Sequence, residues 1–445
     1  MRYDLILKNG TIVTPDKSFQ GGIAVCGGKI IKTGGLDESD TADVIYDAAG
    51  KHILPGIIDA HVHFRDPGLT KKEDFETGSI AAVMGGVTTV ADMPNAVPVT
   101  STVERFNQKT CIAREKSYVD FALFALLNND NLNEMEGLKN AGALGYKIFL
   151  GTSTGDIAAP SPAVLIQQLE ESSSLGMRTG FHCETSEINA YYTSMFKKVQ
   201  AAEHEIGLLL SGARPVFSEA LSIQTAICYA KYTKAKIHIH HITSADGVFL
   251  AAEAKQKGIN LTAETCPHYL FFNANSAQKV YPPIRDEMHR KALWEALGNG
   301  TIDMIASDHA PHTAAEKALP IWEAPAGLCG VETLVALFLN EVNKGALTLN
   351  DFVRLTSESP AKIWGIYPQK GNLLPGADAD FTIVDMQKTF TISANALHSK
   401  SGTSPYDGME IKGMPAATII RGVFVMKDGK LTGKKGCGKL VRPSA

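Results

Sequence analysis

Residues 57–64 read Ile57-Ile58-Asp59-Ala60-His61-Val62-His63-Phe64, an apolar run that ends in two histidines separated by one residue. Alternate side chains of a strand point to the same face, so His61 and His63 should converge. Polar side chains inside a core are costly unless they are paired or bind a metal. The stretch therefore predicts a buried strand of an α/β fold with a polar end, whose two histidines taken alone are more typical of structural residues than of metal ligands.

Outward from this stretch, apolar strands alternate with amphipathic helices. The predicted strands cover residues 53–64, 87–94, 119–127, 143–150, 178–184, 236–243, 260–266 and 302–308. The predicted helices cover residues 73–84, 102–116, 161–175, 216–232, 245–257 and 290–297. A further helical segment is predicted at 347–365, where the chain leaves the barrel. Eight such units favour a TIM-like (β/α)8 barrel. A dinucleotide-binding fold is excluded, because no Gly-x-Gly-x-x-Gly joins a strand to a helix.

Both ends of the chain are rich in short strands, predicted at residues 5–13, 22–33, 379–384 and 417–430. The pairs Asn9-Gly10, Gly27-Gly28 and Asp428-Gly429 are typical of turns. We expect the two ends to form one small β-sandwich domain from residues 1–54 and 367–445. The barrel would then span residues 55–366. Two unrelated β appendages are the alternative.

Composition excludes several classes of protein. The 445 residues include 43 Lys plus Arg and 47 Asp plus Glu, for a net charge of -4 and no basic block. Nucleic-acid or anionic-membrane binding therefore has no electrostatic support. The seven cysteines are scattered without a Cys-x-x-Cys pair, which indicates reduced thiols and a cytoplasmic protein. The first residues lack the apolar core of a signal peptide, and no apolar run approaches the ~18 residues of a membrane span.

Further polar side chains fall at the ends of the predicted barrel strands. They are His182, the group His238, His240 and His241, Asp308, and Lys147 within the fourth strand. Each alone is more typical of a structural residue, but strand ends of a barrel meet at one rim, so together they favour a metal site. A protonated lysine cannot bind a metal. A neutral lysine can react with carbon dioxide, and the resulting carbamate has two oxygens that could bridge two cations.

Four motifs resemble those of the dihydroorotases over essentially the whole chain. They are Asp59-Ala60-His61-Val62-His63-Phe64-Arg65-Asp66-Pro67-Gly68, Asp92-Met93-Pro94-Asn95, Ser307-Asp308-His309-Ala310-Pro311-His312 and Gly376-Ala377-Asp378-Ala379-Asp380. Dihydroorotases belong to the amidohydrolase superfamily and are close to hydantoinases and allantoinases. The resemblance implies a distorted barrel with two zinc ions per chain, and a homodimer is a possible assembly.

By motif position the resemblance assigns the metal ligands. His61, His63 and Asp308 would hold one zinc, His182 and His241 the other, and carboxylated Lys147 would bridge them. Spacing alone leaves His240 and His241 open as alternatives. The family pattern His-x-Ser/Thr-Ser/Thr matches His241-Ile242-Thr243-Ser244, which selects His241. His238 and His240 are then expected to be structural.

The resemblance also implies a substrate and a reaction. Arg65, two residues after the His-x-His pair, should point into the barrel mouth and bind a substrate carboxylate, with Asn95 and His312 as further contacts. A structural ion pair of Arg65 with Asp66 or Asp92 is the alternative. Dihydroorotate carries such a carboxylate, whereas hydantoins, dihydropyrimidines and allantoin do not.

The implied reaction is the interconversion of dihydroorotate and N-carbamoyl-L-aspartate in de novo pyrimidine biosynthesis. A zinc-activated hydroxide would be the nucleophile and Asp308 the proton shuttle. Two departures from the dihydroorotase pattern point to the alternative of an allantoinase or a hydantoinase (dihydropyrimidinase). Tyr281 precedes Pro282-Pro283-Ile284-Arg285, where dihydroorotases commonly have Asn, and Ser404-Pro405-Tyr406 is hydantoinase-like. An inactive scaffold is a third possibility. The loop at 151–162 is expected to be either a mobile cover over the mouth or an ordinary surface loop.

Overall fold

The computed structural model describes residues 2–37, 39–151, 157–200 and 202–444. Its strands are, in chain order, β1 (Arg2–Val13), β2 (Ser18–Cys26), β3 (Lys29–Gly34), β4 (Thr41–Asp47), β5 (His52–Pro55), β6 (Ile57–Val62), β7 (Val87–Asp92), β8 (Asp120–Leu123), β9 (Ala125–Leu126), β10 (Tyr146–Phe149), β11 (Arg178–His182), β12 (Lys236–Ile239), β13 (Leu261–Thr265), β14 (Met304–Ile305), β15 (Phe381–Thr391), β16 (Glu410–Ile420), β17 (Val423–Lys427) and β18 (Lys430–Leu431).

Helices lie mainly between the barrel strands and after them. They are α1 (Phe75–Met84), α2 (Val103–Lys116), α3 (Met135–Ala141), α4 (Pro162–Ser174), α5 (Ser186–Phe196), α6 (Ile206–Ala213), α7 (Val216–Thr233), α8 (Ala245–Gln256), α9 (Pro267–Phe271), α10 (Glu287–Gly298), α11 (Ala314–Lys317), α12 (Leu334–Lys344), α13 (Leu349–Val353) and α14 (Ser359–Ile363). Short 3-10 turns cover Leu132–Glu134, Glu203–Glu205 and Ala394–Ala396, and a π-helical turn covers Arg354–Glu358.

Parallel strands β6 to β14 form the barrel, which confirms the predicted fold class. The strands β6, β7 and β8 pair in one sheet, and β9 to β14 pair in a second. The two sheets join beside Phe124, since the Leu144 amide donates to the Leu123 carbonyl at 2.9 Å. The opposite seam is closed by a parallel bridge between Val62 and His309. All strand carboxyl ends therefore face one rim, which brings their polar residues together.

Strands from both ends of the chain form one further sheet, as predicted. Its order in the described chain is β18-β17-β16-β15-β5-β1-β2-β3, with β4 paired to β1. The short strand β5 joins the two ends, because it pairs with β1 on one side and β15 on the other. Ile23, Ile53, Ile383 and Ile419 are fully buried in the apolar core of this sheet. Their burial holds the two ends of the chain together.

Two local expectations are wrong. Asn9-Gly10 is no turn: β1 runs through it as a bulge, with Asn9 at a φ of 60°. The predicted strand 53–64 is divided at Gly56 into β5 of the terminal sheet and β6 of the barrel. A Cβ at Gly56 would lie 2.3 Å from the Thr88 hydroxyl, so glycine permits the close approach at this division. The predicted turn at Asp428-Gly429 is confirmed between β17 and β18.

Residues 206–233, which contain α6 and α7, have the length and mean hydropathy of a membrane span. The sequence-based expectation did not identify this stretch. Arg214 lies at the joint between the two helices and binds the buried Glu184, and 44% of the apolar window is buried. A single helix of this kind is weak evidence for a membrane span, since helices packed in soluble cores have the same composition.

The seven cysteines are unpaired, in agreement with the expected reduced thiols. Within the predicted cover loop at 151–162, residues 152–156 lie outside the described residues.

Candidate active site

A cavity with about 380 Å³ of empty space opens at the carboxyl ends of the barrel strands. Of the nine residues predicted from the sequence to form the site, eight line it. They are His61, His63, Arg65, Asn95, Lys147, His182, His241 and Asp308. His312, the ninth, is buried behind Arg65.

One group of potential metal ligands consists of His61, His63 and Asp308. The Asp308 Oδ1 atom is 3.1 Å from His63 Nε2 and 3.4 Å from His61 Nε2. All three side chains are buried, and their ligand atoms lie within 4.8 Å of one another. Two imidazole nitrogens and one carboxylate oxygen at this separation are a donor set suited to a divalent transition metal.

A second group lies beside the first and contains His182 and His241. The Nδ1 atom of His182 is 3.0 Å from Nε2 of His241. The rings of His61 and His241 have centroids 5.5 Å apart, so the two groups share one rim of the cavity. The Nδ1 atom of His241 has no hydrogen-bond partner among the described residues.

Lys147 enters the same cavity from β10. Its side chain is fully buried, and Nζ has no hydrogen-bond partner in the described chain. Burial lowers its pKa to about 8, although Glu264 and Asp308 act in the opposite direction. An amine that is buried without a hydrogen-bond partner among the described residues is costly as a cation, and its lowered pKa enlarges the minor fraction that is neutral and open to modification.

The protonation states in the cavity suit cation binding. Burial lowers the pKa of the four imidazoles His61, His63, His182 and His241, which are therefore neutral near pH 7. Burial acts to raise the pKa of Asp308, but its hydrogen bond with His63 helps bring it down to about 2. Neutral imidazoles beside an ionised carboxylate have lone pairs ready for a metal.

Three residues of the rim have left-handed backbone conformations. Arg65, His241 and Asp308 have φ angles of 62°, 42° and 46°. Residues other than glycine adopt this region rarely and at a cost of about 1–3 kcal/mol. Each of the three follows directly on or near a strand end, where the changed backbone direction turns its side chain into the cavity. Such strain is typical of functional sites.

The guanidinium of Arg65 is buried at the cavity wall. Its Nε donates to the Pro311 carbonyl at 3.2 Å, and no carboxylate lies within 4 Å among the described residues. The alternative of an ion pair with a neighbouring aspartate is wrong for the described structure. Asp66 pairs with Lys116, and Asp92 pairs with Lys109. Arg65 thus presents to the cavity a guanidinium that has no ion pair among the described residues, with Asp308 acting on it only from a greater distance.

His312 contacts Arg65 but does not line the cavity. Its Nε2 donates to the Ala326 carbonyl at 2.9 Å and lies 3.4 Å from Arg65 Nη2. Lys72 donates to its Nδ1 at 3.0 Å. In this geometry His312 supports the wall on which Arg65 lies.

Two buried carboxylates were missed by the sequence analysis. Glu264 on β13 accepts hydrogen bonds from His61 at 2.5 Å, His240 at 2.9 Å and His238 at 3.1 Å. The signal that could have identified it is an acidic residue near the carboxyl end of a predicted barrel strand, at residues 260–266. A carboxylate on the far nitrogen of a metal-binding imidazole fixes its tautomer and its orientation.

Glu184 has the corresponding role for His182, because its carboxylate contacts the ring nitrogen that does not face His241. Its Oε2 lies 3.0 Å from His182 Nε2, and its carboxylate also binds the Arg214 guanidinium. The ion pair with Arg214 helps lower the pKa of Glu184 to about 2 against the effect of burial. Nδ1 of His182 is thereby directed toward His241 and the cavity.

Comparisons with known proteins identify the family of the chain. The model of the amidohydrolase family matches residues 52–425. An allantoinase of Deinococcus radiodurans is 34% identical, with 100% of this chain and 99% of that protein covered. A dihydroorotase of Methanosarcina acetivorans is 35% identical, with 99% and 96% covered.

A solved structure, "L-Hydantoinase (Dihydropyrimidinase) from Arthrobacter aurescens", superimposes with a TM-score of 0.95 at 33% identity, covering 99% of this chain and all of that one. The relatives carry three different activity names at similar identity, and all three activities hydrolyse cyclic amides. With its barrel, its rim of imidazoles and carboxylates, and a family match over most of its length, the chain belongs to the amidohydrolase family and is a cyclic amidohydrolase.

Proposed function

We propose that this cyclic amidohydrolase is a dihydroorotase, which interconverts dihydroorotate and N-carbamoyl-L-aspartate in de novo pyrimidine biosynthesis. The observation that carries the proposal is the buried guanidinium of Arg65, which faces the cavity without an acidic partner among the described residues. A buried cation of this kind needs an anion, and a ring carboxylate supplies one.

The donor set supports two zinc ions. His61, His63 and Asp308 would hold one ion and His182 and His241 the other. Lys147, which is buried and has no hydrogen-bond partner among the described residues, would bridge them as a carbamate. When bound, the ions would polarise the amide carbonyl and lower the pKa of a water molecule.

The residues of the chain would then have separate tasks. Arg65 binds the carboxylate and so fixes the ring over the imidazole rim. Asp308, ionised and beside His63, accepts the proton released by the attacking water and delivers it to the leaving nitrogen. Ring closure uses the same steps in reverse. Asn95 lines the cavity, and its Oδ1 accepts from His63 at 2.7 Å.

A second candidate function is that of a hydantoinase or allantoinase. It is favoured by the TM-score of 0.95 to an L-hydantoinase and by Tyr281, whose ring packs 3.6 Å from the Arg214 guanidinium. This aromatic residue stands where dihydroorotases commonly have asparagine, so one polar substrate contact would be replaced by an apolar wall. Neutral rings would suit such a wall.

The test is the variant Arg65→Gln assayed with dihydroorotate, allantoin, hydantoin and dihydrouracil on the zinc-loaded protein. We expect the wild type to prefer dihydroorotate, and the variant to lose about 100-fold or more in kcat/KM for it. Zinc content should stay unchanged, because Arg65 is not a proposed ligand.

The exposed Arg114 provides a matched control, since Arg114→Gln removes the same charge from the surface of α2. Its kinetics should equal those of the wild type. Normal turnover of dihydroorotate by Arg65→Gln, or a wild-type preference for a neutral ring, would contradict the proposal. A cytoplasmic homodimer that binds neither nucleic acid nor membrane remains our prediction for the assembly and its location.

A further inference from the structure

A second polar cavity, with about 740 Å³ of empty space, adjoins the catalytic one. We name it the antechamber and define it by Gln278, Lys279, Lys317, Ser401, Thr403 and Ser404. Gly327 lines both cavities, and His312, which lines the antechamber, contacts Arg65 of the catalytic cavity. The two cavities therefore adjoin at Gly327 and at the contact between His312 and Arg65.

The antechamber has a positive charge without a counterion. Lys279 donates to the Ile321 carbonyl at 2.5 Å, and Lys317 donates to the carbonyls of Pro325 and Gly327 at 3.2 and 2.9 Å. Neither lysine forms an ion pair with a described residue, and the described lining has no acidic side chain. Two ammonium groups so enclosed repel each other and are stabilised by an external anion.

The state of the lysines agrees with this reading. Burial lowers the pKa of Lys279 to about 8, with a further contribution from Lys317. Burial likewise lowers the pKa of Lys317 to about 8. Both groups still carry a charge near pH 7, so the cavity has two cations at the working pH of a cytoplasmic enzyme.

Hydroxyl groups on the facing segment complete the lining. The Ser401 hydroxyl donates to the His312 carbonyl and accepts from the Thr403 hydroxyl, both at 2.7 Å, so these two hydroxyls hold the segment in place and only Ser404 has a hydroxyl hydrogen to offer an anion. Ser404 accepts from the Tyr406 amide, which leaves its own hydroxyl hydrogen available as a donor. Ammonium and hydroxyl donors around a solvent-open space are the groups that bind carboxylates.

We propose that the antechamber is an anion-binding site that captures acidic substrates, and above all the dianion N-carbamoyl-L-aspartate, before they enter the catalytic cavity. The choice of substrate rests on the proposed function. The open-chain acid has two carboxylates and the ring only one, so the field of two lysines acts more strongly on the open chain.

The first experiment compares the double variant Lys279→Gln/Lys317→Gln with the double arginine variant and with Lys8→Gln, an exposed lysine of β1. At low ionic strength the glutamine variant should lose about tenfold in kcat/KM for N-carbamoyl-L-aspartate and less for dihydroorotate. In about 200 mM salt the loss should shrink, because salt screens the attraction. Arginine should preserve the rate, and Lys8→Gln should equal the wild type.

A loss that is equal for both substrates and insensitive to salt would overturn the proposal, since it would mean that the lysines only hold the backbone at 325–327. Unchanged kinetics would overturn it as well. The second experiment needs no lysine variant and no turnover: crystals of Arg65→Gln are soaked in selenate, whose anomalous signal locates the anion. Selenate between Lys279 and Lys317 supports the site, and its absence there overturns it. The soak stays decisive even if dihydroorotate proves not to be the substrate.

Discussion

At the scale of single residues, Lys147 shows how burial changes the chemistry of a side chain. With its pKa lowered to about 8, about a quarter of the amine is neutral at pH 7.5, against about 0.1% for an ordinary lysine. Only the neutral amine attacks carbon dioxide. The new N–C bond releases one proton and leaves an anion in a cavity lined by imidazoles, where cations would stabilise it.

We predict that Lys147 is carboxylated in the zinc-loaded protein. Incubation with 13C-bicarbonate should give one carbamate carbonyl signal in the 13C spectrum, and Lys147→Arg should lose this signal together with bound zinc. Lys370 is a matched internal control, because it is equally buried but binds three carboxylates, which raise its pKa. The signal should therefore survive in Lys370→Arg, and a signal that persists in Lys147→Arg would refute the assignment.

At the scale of elements, β13 organises the rim through one carboxylate. Glu264 is fully buried and accepts from imidazoles on β6 and β12, including His61 at 2.5 Å. Burial raises its pKa well above the ordinary value, although the nearby Lys147 acts in the opposite direction. A strand that offers no proposed metal ligand thus sets the orientation of one that does.

We predict that Glu264→Gln lowers zinc affinity by about 10- to 100-fold while the barrel remains folded. The side-chain amide of glutamine has an NH2 group in place of one carboxylate oxygen. Where that NH2 group faces an imidazole N–H, two donors oppose each other, and the His61 ring loses its fixed orientation. Zinc retained after dialysis against a chelator, measured by elemental analysis, checks this, with circular dichroism as the test of folding. Glu170→Gln, an exposed change on α4, is the control. Equal zinc retention in both variants would show that Glu264 does not orient a ligand.

The elements also show what the sequence can and cannot predict. The alternation of apolar strands with amphipathic helices predicts the eight barrel units, because the spacing of apolar residues within each element can be read from neighbouring positions in the sequence. The boundary between β5 and β6 was missed, since a single glycine separates a sheet strand from a barrel strand. Helices α3, α5, α6, α9, α11 and α12 were also missed. Their boundaries depend on tertiary packing rather than on local pattern.

The same distinction applies to the site. The residues with metal-binding chemistry were found because they end successive strands, and all six predicted ligands line one cavity. The partners that fix their geometry were not found: Glu264 is distant in sequence from the imidazoles that it contacts, and the pairing of Glu184 with Arg214 depends on the packing of separate elements. The sequence favoured an Arg65 guanidinium directed into the mouth but left open an ion pair with Asp66 or Asp92, because only the fold shows that these two aspartates bind other cations.

At the scale of the whole molecule, a buried ionic cluster connects the terminal sheet to the barrel. The Lys370 Nζ atom is 2.5 Å from Asp120 of β8 and 2.5 Å from Asp380, which leads into β15. It is also 2.9 Å from Asp378. Arg421, between β16 and β17, binds Asp120 as well. One lysine therefore ties the C-terminal part of the terminal sheet to strand β8 of the barrel, and its removal leaves buried carboxylates facing one another.

We predict that Lys370→Met lowers the free energy of unfolding by about 3–5 kcal/mol, and more at pH 8 than at pH 5. Burial would raise the pKa of Asp378, but Lys370 lowers it below 3.8, so this stabilisation is present above that value and is lost as the pH falls through the folded-state pKa. The raised pKa of Lys370 adds stability that is complete below 10.5 and is lost only in stronger base. Both contributions are thus full near neutrality. Without the lysine, the pKa values of the enclosed carboxyls rise, and acid then relieves their repulsion.

Urea unfolding followed by circular dichroism at both pH values measures the difference. Lys362→Met, which breaks an exposed pair with Glu358, should cost at most about 1 kcal/mol. A loss for Lys370→Met that is no larger than this, or that grows toward acid, would mean that the cluster does not hold the sheet to the barrel.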